Sequence, residues 1–245
     1  LQLAIAQADL VQDAYDQTGI FADEEESRGF GAVAALYTET CQVVVRADSD
    51  IRSIEDLHGR TVSIGAEESG SEQNARQILS AYGLNDKMVS MVNLNYEDAA
   101  AQLKAGRVDA IFMTVGAPSP VLTALAGECG IRLLNVDGAA AQRLQSAYSA
   151  YSGVTLPAGT YPGQTEKVQT VGVKAVLLAS NALPAKQVQQ LTQLLFSSRE
   201  GLEEQLGIPL DPEENAVEGV GIPFHEGAAA YYKAAGITVD EAAGN

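Results

Sequence analysis

Apolar and polar positions along the chain repeat with two different periods, and the way they alternate predicts the architecture. Residues 1–7 (LQLAIAQ) read as a strand. DLVQDAYDQTG (9–19) follows with apolar positions at helical spacing and a glycine, Gly19, where a helix would stop. GAVAALY (31–37) and CQVVVRA (41–47) flank Thr38-Glu39-Thr40. They read either as one long extended passage or as two short strands, leading out of a first lobe. Asp48 to Asp50 is a turn, and Ser53-Ile54-Glu55-Asp56 opens a short helix ending before Gly59. From residue 59 the chain cycles between strand and helix. GRTVSIGAEESGSEQNARQILSAYG (59–83) is a β-branched strand, a Gly/Ser loop and a helix with Ala75, Ile78, Leu79 and Tyr82 on one face. Residues 88–94 are a strand, YEDAAAQLKAG (96–106) a helix, VDAIFM (108–113) a strand, VLTALAG (121–127) a helix and IRLLNV (131–136) a strand. Residues 142–152 read as helix, LPAGTYPGQTEK (156–167) as an irregular excursion, and QTVGVKAVLLAS (169–180) as a long β-rich passage crossing back between lobes. The remainder is helical: 184–206, broken near Gly201, and 223–236, ending at Gly236.

Strands and helices joined in alternation by short loops predict an α/β fold with parallel, doubly wound sheets. In such sheets the loops after the strands gather at one edge, where ligands bind. The 66–71 and 114–118 loops are therefore expected to meet. A small-residue loop opening a helix leaves backbone N–H groups pointing outward at the positive end of the helix dipole, a setting for a carboxylate or phosphate. The same residues fit a capping box between Ser69 and Glu72, and both readings stand at this point. No Gly-Lys-Ser/Thr follows the glycines, so the Walker phosphate loop is absent, as is the dinucleotide fingerprint.

Composition narrows the partners. The 245 residues can form one large domain or two lobes, and 46% hydrophobic with 19% charged residues describes a globular chain. Thirty-two acidic against fifteen basic residues give a net charge of −17. That balance argues against nucleic acid and against an anionic membrane surface, both of which demand clustered Lys and Arg. It speaks of solubility and self-repulsion, and fits a salty medium. The acidic run 24–27 reads as a solvated loop. No run approaches the roughly 18 apolar residues of a membrane span. The first residue is Leu1, no signal peptide is visible, and a segment upstream is expected to have been removed. Cys41 and Cys129 are read as two buried thiols, with pairing left open to an exported protein. No metal-ligand spacing and no cofactor motif appears.

Four stretches in order resemble the TAXI family of solute-binding proteins, the receptors of one class of TRAP transporters. They are ADSDIRSIEDLHGRTVSIGAEESGSEQNARQIL, YEDAAAQLKAGRVDAIFMTVGAPSPVL, LPAGTYPGQTEKVQTVGVKAVLL and GIPFHEGAAAYYKAAGI, and together they cover nearly the whole chain. The resemblance implies a two-lobed, type II periplasmic-binding-protein-like fold with crossover hinge strands. Lobe I would comprise 1–46 plus 168–245, incomplete at its start, and lobe II 47–167. It also implies a periplasmic, monomeric receptor that closes over glutamate, glutamine or a 2-oxoglutarate-like solute and delivers it to TRAP membrane permease subunits. The family's Gly-rich TGGxxGxYY opening is missing, and Leu1 falls where a later first-lobe strand would lie. Sheet edges left behind by that gap would be open to pairing with another chain.

By the same resemblance, Ser69, Gly70 and Ser71 map onto the family's Gly-Ser-Gly-Thr-like loop, and Glu72 with Asn74 onto the start of its helix. Thr114, Val115 and Gly116 map onto the second loop, Gln7 and Asp9 onto the first-lobe strand end, and Tyr37 and Glu39 onto the crossover strand. Tyr161 lies in the irregular segment, with a core role and a ligand role both open. Arg76 is expected to face solvent, Arg46 ends the crossover strand, and Lys174 is expected at a solvent-facing hinge position, with a buried carboxylate pair as the alternative. Backbone N–H groups and hydroxyls, rather than one arginine, are then expected to hold the solute's carboxylate. His58 and His225 read as turn or cap residues, no Gly-x-Ser-x-Gly elbow exists, and no carboxylate pair is arranged for acid–base work. The expected function is binding without catalysis, against two alternatives: an enzyme on the same fold, or the sensing domain of a signalling protein.

Overall fold

The computed structural model describes residues 1–22 and 28–240, so the acidic run at 24–27 lies outside the described residues. In chain order the elements are β1 (Leu3–Gln7), α1 (Ala8–Asp16), β2 (Phe30–Arg46), β3 (Thr61–Ser63), α2 (Gly70–Ala81), β4 (Ser90–Val92), α3 (Tyr96–Lys104), β5 (Ala110–Val115), α4 (Pro120–Cys129), β6 (Ile131–Leu134), α5 (Gly138–Ala147), β7 (Ser152–Leu156), β8 (Val168–Ser180), α6 (Ala185–Ser197), α7 (Arg199–Leu206) and α8 (Glu226–Ala234). The α/β class is as expected, one open reading is settled and three local readings change. The two apolar runs at 31–47 join into one 17-residue strand, because Thr38-Glu39-Thr40 continues the extended path between them. α1 ends at Asp16, with Gln17 rather than Gly19 taking the left-handed cap position (φ 56°). The helix expected at 142–152 starts at Gly138 and ends at Ala147, and Ser152–Leu156 pair with β8 instead. The break in the 184–206 helix falls at Ser198, leaving Gly201 inside α7.

The chain forms two compact units, Leu1–Thr38 with the part from Val173 onward, and Glu39–Gly172. It passes from one to the other inside β2 and again inside β8. In the second unit β3 runs parallel to both β4 and β5. The Thr40–Arg46 part of β2 lies antiparallel between β5 and β6. These five strands run in the order β4-β3-β5-β2-β6 with β2 alone antiparallel to the rest, and β7 pairs antiparallel with the Val168–Gly172 part of β8. Side chains of β5 alternate in direction: Ile111 and Met113 join Val44 in a core with Ala99 and Leu103 of α3 and Leu122 and Leu125 of α4. α2 packs with α5 and touches β5. Helices on both sides of the sheet bury it twice over, which is why its strands read as unbroken apolar runs.

In the first unit, β1 pairs antiparallel with β8, from Leu3 opposite Ala179 to Gln7 opposite Ala175. Ala8 and Val11 of α1, Ala32 and Val33 of β2, Val176 and Leu178 of β8, Val188 of α6 and Ala228, Ala229 and Tyr232 of α8 form its core. α6 and α8 approach closely, since a Cβ on Gly227 would lie 2.9 Å from the Gln189 backbone nitrogen and nearer still to the Ala185 carbonyl oxygen.

Candidate functional site

β3 and β5 are neighbouring parallel strands, with Val62 opposite Ala110 and Ser63 opposite Ile111. Their carboxyl ends therefore emerge side by side, each followed by a loop and a helix. The first loop turns at Gly65, whose φ of +102° suits only glycine and whose Cβ would lie 2.8 Å from that of Ser71. Ser69 caps α2: its Oγ accepts from the Glu72 N–H at 3.2 Å and donates to the Ala66 carbonyl at 2.6 Å. Glu72 does not complete the expected capping box. Its carboxylate reaches one residue further back, accepting from the Glu68 N–H at 2.8 Å, and holds Arg76 at 2.8 Å. Burial pushes the Glu72 carboxyl up, but Arg76, the Glu68 N–H and Asn93 outweigh it and leave it below the usual glutamate range. The Ser69 N–H donates to Ala66, so the N–H groups of Gly70 and Ser71 are the remaining donors of the first turn.

The second loop is tied to the first. Thr114 at the end of β5 donates its N–H to Ser71 Oγ at 3.1 Å. Ser71 Oγ lies 2.6 Å from the Tyr96 hydroxyl, which donates to the Thr114 carbonyl at 2.8 Å. The two loops meet, as expected, and Tyr96 is the residue that sequence reading missed. Its only local signal is its place at the start of α3 after the capping Asn95; nothing in the sequence brings it to Ser71, 25 residues away. Burial, with Glu39 and Cys41 adding to it, holds the Tyr96 phenol above its ordinary range. Thr114 Oγ1 donates to Cys41 Sγ at 3.5 Å, and the Val115 carbonyl accepts from Gln42 Nε2 at 3.3 Å. Gly116 follows, buried, and Glu39 precedes Thr40, the partner of Val115.

The remaining site candidates have these surroundings. Tyr161 is 1% exposed within the core of the second unit. Its hydroxyl accepts from the Ser119 N–H at 3.0 Å and donates to Gln42 Oε1, and burial raises its pKa. Asn74, fully buried, donates to the Tyr151 hydroxyl at 2.6 Å. Gln7, Asp9 and Tyr37 belong to the first unit. Gln7 ends β1 and stands at the cap of α1, while buried Asp9 accepts from the Leu10 N–H at 3.0 Å. Tyr37 packs on the Ala34, Leu36, Leu210 and Ala216 cluster.

The three cations singled out from the sequence are occupied. Arg76 lies along its helix on Glu72, half exposed as expected, and Arg46 grips Asp48 at 2.7 Å and the Lys104 carbonyl at 3.0 Å. Lys174 is not solvent-facing: it pairs with Asp211, and the two side chains are only 17% and 20% exposed. The stem of Lys174 lies against Gly219, which leaves room for it. His225 caps α8, its Nδ1 accepting from the Gly227 N–H at 3.1 Å. Cys41 is buried but Cys129, at the end of α4, is only half-buried, and neither is in a disulfide. Among the described residues no His, Cys, Asp and Glu group could hold a metal, and no helix is long and apolar enough to cross a membrane.

Several solved structures match this chain at low identity. XAC2383 from Xanthomonas citri, bound to chloride ion, superposes with a TM-score of 0.51 at 12% identity, covering 86% of this chain and 71% of that one. The periplasmic aliphatic sulphonate binding protein SsuA from Escherichia coli gives 0.49 at 18% identity, over 85% of this chain and 62% of that one. A TctC solute binding protein from Polaromonas gives 0.49 at 13%, over 85% and 69%. The chain thus spans less than two thirds of the length of SsuA, and identities this low speak to fold alone. Sequence supplies the relationship: the model of the NMT1-like family matches residues 1–236, and the chain belongs to that family.

Proposed function

We propose that this chain is the extracytoplasmic solute-binding receptor of a TAXI-type TRAP transporter, capturing a small carboxylate or amino acid of the glutamate, glutamine or 2-oxoglutarate type and handing it to the membrane permease subunits. The observation that carries the reading is the joined pair of loops at the carboxyl ends of β3 and β5, held together through Ser71 and Thr114. That is where open α/β sheets take ligands. Gly70 and Ser71 offer N–H groups there at a helix start, a setting that suits a carboxylate without an arginine. The residues around the loops are engaged in fixing one another, which fits a receptor that grips a solute and returns it unchanged. Native mass spectrometry of the purified chain, followed by calorimetric titration with L-glutamate, L-glutamine and 2-oxoglutarate, tests this. A stoichiometric complex of unaltered solute is expected. Absence of binding to all three, with no co-purifying small molecule, would refute the reading.

A further inference from the structure

The proposed solute contacts at these loops were expected to include hydroxyl groups, yet the hydroxyls of Ser69, Ser71, Thr114 and Tyr161 direct their protons into the protein. Ser69 donates to the Ala66 carbonyl, Thr114 to Cys41 and Tyr161 to Gln42. Ser71 is fixed by elimination. Its Oγ already accepts the Thr114 N–H, and the Tyr96 proton already goes to the Thr114 carbonyl. The short Ser71–Tyr96 contact therefore has Ser71 as its donor. The three groups close a ring in which each donates once and each accepts once: Ser71 to Tyr96, Tyr96 to the Thr114 carbonyl, and the Thr114 N–H back to Ser71. Ser71 is 3% exposed and Thr114 4%. Such a ring polarises each of its bonds through the others, and opening it anywhere weakens the whole.

We infer that Tyr96 is a positioning residue for the solute loops. Its hydroxyl closes a ring that locks the β3–α2 loop to the β5–α4 loop, so that solute groups meet backbone N–H groups whose places are set in advance, while the Ser71 hydroxyl acts through the ring and not by touching the solute. This rests on the proposed receptor reading of the two loops. Pre-set geometry lowers the ordering cost of binding, and its loss weakens every ligand of the site alike. A side chain that touches one solute group behaves differently, because its removal discriminates between solutes that carry the group and those that lack it.

The experiment is a double-mutant cycle on the full chain with Tyr96→Phe, Ser71→Ala and the pair together, titrated with L-glutamate, L-glutamine and 2-oxoglutarate, with thermal unfolding followed in parallel. Each single change is expected to raise Kd by roughly tenfold for whichever of the three solutes bind, in the same proportion. The double variant should bind hardly more weakly than either single one, since the ring opens only once. Ser71→Thr, which keeps a hydroxyl, should recover most of the affinity. Losses that multiply, or a loss confined to one solute, would overturn the positioning role, as would a fall in thermal stability with Kd unchanged. If the unaltered chain binds none of the three solutes, the receptor reading fails first and takes this inference with it.

Discussion

Glu72 shows how one residue can be placed correctly and read incompletely. Its spacing from Ser69 announced a helix start, and Ser69 does cap the helix. The carboxylate goes elsewhere, to the Glu68 N–H and to Arg76. These partners hold the folded-state pKa below its unfolded value, so the carboxylate stabilises the fold fully above the unfolded pKa. That contribution fades as the pH falls through the lower, folded pKa. Arg76 is 49% exposed, so the pair itself is worth on the order of 0.5 kcal/mol. Denaturant unfolding of the unaltered chain and Glu72→Gln should differ at neutral pH and converge on acidification; an equal gap at pH 7 and pH 3 would contradict this. The same limit explains what was legible of the candidate site. Sequence pattern placed Ser69, Ser71 and Thr114 at the ends of the right elements, because helix and strand periods are local. Where a hydroxyl proton goes depends on partners such as Tyr96 or Gln42, brought from distant segments by the fold. For the same reason sequence could not choose between a solvent-facing position and a buried carboxylate pair for Lys174, since its partner Asp211 lies 37 residues away.

Among the elements, long periodic segments were legible and short or interrupted ones were not. α2, α3, β5 and β8 fall close to their expected places, since each has an apolar face several residues long. β7 was hidden because Ser152–Leu156 has only Val154 and Leu156 turned inward, and pairing with β8 decides its conformation. Gly201 was taken as a helix breaker, but it tolerates the interior of α7, and the break comes where Ser198 departs from helical geometry. Two helical glycines now have opposite expected behaviour. Gly201 has no atom within 4 Å of an added Cβ, so Gly201→Ala should gain close to the intrinsic preference, about 0.5–1 kcal/mol. At Gly227 the same gain is overwhelmed, because the methyl would run into the Ala185 carbonyl oxygen and force α6 and α8 apart. Gly227→Ala should lose about 1–3 kcal/mol. Urea unfolding of both variants checks the signs, and stabilisation at both positions would show that α6 can move aside freely.

For the whole molecule, unbalanced charge is an influence on stability that no single contact explains. If all fifteen basic residues were paired, seventeen of the thirty-two carboxylates would still lack a cation. Net repulsion of this size works against the compact state. Salt acts in two opposing ways. It weakens exposed pairs such as Lys104–Glu128, whose side chains are 50% and 54% exposed, and each such pair is worth only about 0.2–1 kcal/mol. It also screens repulsion among all the unmatched carboxylates, as the Debye length falls from about 30 Å at 0.01 M to about 8 Å at 0.15 M. With carboxylates outnumbering cations two to one, the screening of repulsion wins. The melting temperature should rise by several degrees over that range and flatten beyond it, equally in sodium and potassium chloride. A rise that continued steeply above 1 M, and only in sulfate, would point to surface exclusion instead. A melting temperature that fell with added chloride would mean that paired charges, not unmatched ones, govern the stability of this chain.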